Sequence, residues 1–103
     1  MGKLLPDLDL RLGRLQQSYQ NSYTQGDYEL ASDWLYQLNA SLPSRGRISN
    51  LKRCEPKRAN FGQKLEASQN AQYKAWCMKH APLILNAVSD YVDEMLQAYG
   101  GGS

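Results

Sequence analysis

The sequence predicts an all-α fold: three to four helices, arranged as two helical hairpins joined by a basic loop. Three observations predict it. Apolar residues recur at three- and four-residue steps in both halves of the chain, the spacing that lines one face of a helix. Val and Ile together number only four, and no run of strict alternation lasts, so no strand pattern competes. Breakers fall between the periodic segments: Gly26-Asp27, Pro43, then Gly46, Pro56 and Gly62, and finally Pro82.

The first helix is expected over residues 5–24. Leu5, Leu8, Leu12, Leu15, Tyr19, Ser22 and Tyr23 fall mostly on one face. Pro6 suits the first turn, where its missing N–H does no harm, and Gly13 weakens the centre by about 1 kcal/mol relative to Ala. Gly26 is the residue type preferred just past a helix end, and Asp27 can cap the next helix. That second helix should run over 28–42 on a face of Ala31, Trp34, Leu35, Leu38 and Leu42, ended by Pro43. A tight Gly-Asp turn between two such helices makes an antiparallel hairpin.

The stretch YTQGDYELASDWLYQLNASLP, with its Gly-Asp-Tyr turn, Ala31 and closing Pro43, resembles the second half of a tetratricopeptide repeat over roughly Leu12 to Pro43. The resemblance implies a helical hairpin and, in an array, a peptide-binding groove. Tyr19 and Leu38 stand where the repeat has small residues, and Leu35 where it has an aromatic one. One copy is present, whereas stable solenoids stack about three or more. The pattern therefore reads as convergent hairpin chemistry.

A third helix is expected from about Asn60 to His80, marked by Phe61, Leu65, Tyr73, Trp76 and Cys77, with Pro82 kinking or breaking it. A fourth follows over 82–99 with a wide apolar stripe of Ile84, Leu85, Val88, Tyr91, Val92, Met95, Leu96 and Tyr99. Residues 1–99 thus form one helical domain, and Gly100 to Ser103 read as an appended linker.

A chain of 103 residues buries roughly 65% of its unfolded surface, enough for one modest core. Mean hydropathy is −0.63, so that core depends on periodic placement. The longest near-apolar run, Ala81 to Val88, falls far short of the roughly 20 residues a membrane helix needs. The N-terminus MGKLLP lacks the apolar stretch of a signal peptide, and Pro6 replaces the Ser or Thr of a myristoylation signal. Two cysteines make no disulfide framework. A cytoplasmic protein with reduced thiols is the expectation.

Catalytic and cofactor signatures are missing from the sequence. Cys77 and His80 have ligand-like spacing, but a structural zinc site wants four ligands, and Cys54 has no neighbour to complete a second pair. A Cys–His nucleophile would need an orienting group and an oxyanion site. SRGRIS lacks the spacing and Lys-Ser/Thr end of a phosphate loop. No enzyme activity, cofactor or metal is expected.

The feature with a physical consequence is Ser44–Lys64. It carries seven cations (Arg45, Arg47, Lys52, Arg53, Lys57, Arg58 and Lys64) against Glu55, while the segments on either side each sum to −2 and the whole chain to +2. Any field is therefore local. Three readings compete: phosphate contacts to nucleic acid with Phe61 stacking, docking on an acidic protein surface, and a solvated loop pinned by Ile48 and Leu51. No helix-turn-helix pattern carries these residues. Seven Tyr and two Trp exceed what a small core needs, and such residues carry interface energy. Tyr19 and Tyr23, one turn apart in a polar stretch, are secondary candidates for contact.

The expected role is a small non-enzymatic adaptor or modulator that binds a larger protein through Arg45, Arg47, Lys52, Arg53, Lys57 and Arg58. Small, motif-free, weakly basic chains of this type look like accessory proteins of phages and mobile elements, which implies a host nucleic-acid-processing enzyme as target, with inhibition as one outcome. Direct nucleic-acid binding through 45–64 is the alternative. A homodimer using the last helix is the third expectation.

Overall fold

The computed structural model describes residues 4–55 and 67–99. Among them the chain is all-helical and strand-free: α1 (Leu4–Thr24), α2 (Tyr28–Ala40), a short 3-10 turn (Ser44–Gly46) and α3 (Ala67–Tyr99). α2 packs against both other helices, α1 and α3 meet more lightly, and the 3-10 turn rests on α3.

The first boundary follows the sequence closely. Gly26 adopts a left-handed φ of 81°, which glycine tolerates without a Cβ penalty. Its N–H donates to the Tyr23 carbonyl at 3.0 Å, and the Asp27 N–H donates to the Ser22 carbonyl at 2.9 Å. This paired closure satisfies carbonyls that the last turn of α1 would otherwise leave open. The Asp27 carboxylate then accepts from the Leu30 N–H at 3.3 Å and caps α2. At its other end α2 stops at Ala40, two residues before the expected Leu42, which nevertheless stays fully buried.

The core is built from one stripe of each helix. α1 contributes Leu12 and Tyr19, α2 contributes Ala31, Leu35 and Leu38, and α3 contributes Cys77, Ala81, Ile84 and Val88. Polar bonds fix α3 to the α1–α2 turn. The Asn70 side-chain amide donates to the Gly26 carbonyl at 3.3 Å, and the Cys77 thiol lies 3.8 Å from the Tyr28 carbonyl.

One expectation changes here. Pro82 does not break the chain into two helices or open a second hairpin: Ala67–Tyr99 is one helix with Pro82 inside it. The buried positions Tyr73, Cys77, Ala81, Ile84 and Val88 run through it without a phase change, so a break would discard half of that stripe. Pro82 and Met78 both lie on the exposed side of α3, away from the core, so the Met78 carbonyl that loses its bond to residue 82 is not enclosed among the core side chains. His80 consequently lies mid-helix rather than at a helix end. The expected helix start at Asn60, with Phe61 and Leu65, lies outside the described residues.

The core also carries a pH signature. Burial, reinforced by the neighbouring Cys77 and Tyr23, pushes the Tyr19 phenol from its ordinary 10.0 up to about 12. Burial, reinforced by Cys54, pushes the Cys77 thiol from 9.0 up to about 12. Both folded-state groups hold their proton more tightly than the unfolded chain does. Their contribution is therefore complete below pH 9 and is lost as pH rises through 9 to 12. The urea midpoint should fall as pH rises from 9 to 12, and Tyr19→Phe should flatten the part of the fall above pH 10. A midpoint constant up to pH 11 would contradict this.

Candidate functional site: a basic segment pinned along the bundle

The described part of the basic stretch, residues 44–55, is tied to the helices at several points. The strongest tie is Asn39, which is 6% exposed. Its amide nitrogen donates to the Ile48 carbonyl at 3.2 Å, and its oxygen accepts from the Ile48 N–H at 2.9 Å. One side chain thus satisfies both backbone groups of a loop residue, as a neighbouring strand would. Ile48 and Leu51 pack onto the core beside it, as expected of them. Asn50 adopts a left-handed φ of 60°, which Asn accepts better than most residues. Farther along, the Trp76 indole N–H donates to the Lys52 carbonyl at 3.2 Å, and the Cys54 thiol lies 3.8 Å from the Gln72 carbonyl.

The cations have separate duties. Arg45 pairs with Glu94 of α3 at 2.6 Å. Arg47 donates from Nε to the Leu42 carbonyl at 2.6 Å, closing the chain just after α2. Arg53 pairs with Asp33 of α2 at 2.8 Å, and its guanidinium lies 4.3 Å from the centre of the Tyr36 ring. Lys52 is exposed. Lys57, Arg58 and Lys64 lie outside the described residues. Both ion pairs are solvent-exposed, so each contributes at most about 1 kcal/mol. Their effect is to set where the side chains sit.

The pairings also spread the charge. The Arg45 anchor is Glu94 and the Lys52 anchor is Trp76, roughly 27 Å apart along a helix that rises about 1.5 Å per residue. A cluster in the sequence becomes a strip in space. Between its ends an open groove of about 410 Å³ is lined by Tyr36, Asn39, Ser44, Arg47, Ile48 and Leu51.

The tyrosine expectation is corrected. Tyr19 is 8% exposed and belongs to the core, because it lies two turns from Leu12 on the stripe that faces α2. Tyr23 is half-buried, with ring centroids 5.8 Å from Tyr19 and 5.0 Å from Tyr28. The periodicity that placed Tyr19 on the apolar face was the better signal, and the polarity of its neighbours the weaker one. From the sequence, Trp76 counts among the aromatics that could carry interface energy, with a core position favoured. It is half-buried, stacks on His80 at 4.4 Å between centroids, and holds the loop.

No family model, curated protein or solved structure matches this chain. The site stands on its geometry alone. Among the described residues no helix is long and apolar enough to cross a membrane, and no three His, Cys, Asp or Glu side chains gather to hold a metal ion.

Proposed function

We propose that the protein is a small, non-enzymatic adaptor or modulator that docks on an acidic surface of a larger protein. The docking strip is the pinned segment 44–55, with Arg47, Lys52 and the outer faces of Arg45 and Arg53 as the contact cations. The observation that carries this reading is the pairing of Arg45 with Glu94 and of Arg53 with Asp33. Cations held at separate points by Glu94 and Asp33 suit a folded protein surface whose acidic groups lie at discrete positions, where complementarity sets orientation and on-rate. They suit a run of phosphates less well. Asn39 fixes the loop backbone in advance, which lowers the ordering cost of binding.

Direct nucleic-acid binding is the second reading. It is favoured by exposed Lys52, whose carbonyl accepts from the Trp76 indole N–H beside the Trp76–His80 ring pair, a pairing of cation and aromatic surface that single strands use. Affinity purification from the native cytosol with mass spectrometry separates the two. Wild-type protein should retain a defined protein partner after nuclease treatment. Lys52→Glu/Arg53→Glu/Lys57→Glu/Arg58→Glu should lose it with the helical fold intact. Retention at full strength by that variant would remove the strip as the site. Binding to DNA or RNA alone, weakening with a log–log salt slope of about −0.9 per phosphate on duplex DNA, would establish the second reading.

A further inference from the structure

We propose that α3 pairs antiparallel with α3 of a second copy of this chain, through a heptad seam separate from its core stripe. The seam begins with Ala71, Ala75, Met78 and Pro82 and continues with Leu85, Ser89, Val92 and Leu96. Its steps alternate four and three throughout, and no charged residue interrupts it. That is the pattern by which one helix packs knobs into the holes of another. Among the described residues no helix faces it. Ala71, Ala75, Pro82 and Ser89 are exposed, Met78 is 61% exposed and Leu96 50%. Leu85 and Val92 sit half-buried at the border with the core.

Side-chain size points to a second copy, reversed. With α3 laid antiparallel on itself, Ala71 faces Leu96, Ala75 faces Val92, Met78 faces Ser89 and Pro82 faces Leu85. The three outer layers each set a small residue against a large one, as close packing requires. A parallel pair would set Ala on Ala at one end and Leu on Leu at the other. Charge selects the same orientation. The first half of α3 carries Lys74 and Lys79 and no acid, and the second half carries Asp90 and Asp93 and no base, with Glu94 held by Arg45 on the far flank. Antiparallel pairing brings each basic half beside the other copy's acidic half, and parallel pairing sets like beside like. Opposed helix dipoles add in the same sense. The basic strip contacts α3 through Trp76 and Glu94, on a flank roughly opposite the seam at about 3.6 residues per turn. The dimer therefore leaves the docking strip open.

Sedimentation equilibrium over a concentration series tests the pairing. Mass should rise from the 11.7 kDa of one chain towards twice that value. Met78→Glu/Leu96→Glu alters two exposed positions and should raise the dimer dissociation constant at least about tenfold with an unchanged helical circular-dichroism spectrum. Disulfide trapping in a Cys54→Ser background, where the remaining native thiol Cys77 is buried, reads the orientation. Ala71→Cys/Leu96→Cys should form a covalent dimer on oxidation and Ala71→Cys alone should not. A wild-type mass that stays at one chain, or a dimer trapped by Ala71→Cys alone, overturns the proposal.

Discussion

Leu35→Ala should lower stability by about 2–5 kcal/mol, the range for removing a large aliphatic side chain from a packed site. Leu35 is 0% exposed, on the helix that packs against both others. Its cluster draws Leu12 from α1 and Ile84 from α3, so no single helix can move in to close the cavity. Total stability for a domain of this size is on the order of 5–15 kcal/mol, so the loss is a large share. The melting temperature should fall by roughly 10–30 °C. Leu30→Ala is the control. Leu30 is 42% exposed on the same helix, and its removal should change stability by no more than about 0.5 kcal/mol. Equal effects from the two substitutions would mean that the core stripe of α2 is misplaced.

The second large effect is expected at Asn39. Asn39→Ala removes both bonds to Ile48 and leaves a backbone N–H and carbonyl beside the core with no partner from α2. Unpaired groups of this kind cost about 1–3 kcal/mol each, less where water reaches them. A loss of about 2–3 kcal/mol follows. Its distinguishing mark is local. The Ile48 amide should lose hydrogen-exchange protection more than amides in the middle of α3 do, because the loop is released before the helices separate. Asn39→Asp is the sharper test, since a carboxylate accepts from the Ile48 N–H but sets a charged oxygen against its carbonyl in a buried site. It should lose at least as much stability as alanine. Uniform loss of protection across the whole domain would argue against a local clamp.

Helix positions and the first turn were legible because local rules and packing agree there. Gly26 and Asp27 act as their types predict, and Leu12, Leu35 and Ile84 were on the faces that became the core. Pro82 was misread because intrinsic helix propensity was weighed without the stripe on either side of it. Ala81, Ile84 and Val88 keep the phase set by Tyr73 and Cys77, and packing outweighs one missing backbone bond. The site was legible as a charge count and not as a shape. No sequence rule says that Asn39 reaches nine residues forward to hold Ile48, or that Arg45 and Arg53 find partners on different helices. Those are consequences of tertiary placement.

On the proposed reading, the unbroken α3 also sets a scale for selection. With a break at Pro82, the Glu94 anchor of the strip would no longer be held at a set interval from the Trp76 anchor. As one continuous helix, α3 sets the interval between the Arg45 and Lys52 anchors. On the proposed reading, a short acidic peptide can satisfy only one end, and only a folded partner whose acidic features match the interval gains from both. Affinity for acidic ligands of increasing reach should then rise in a step rather than smoothly, and the protein would discriminate by measuring distance as well as by sensing charge.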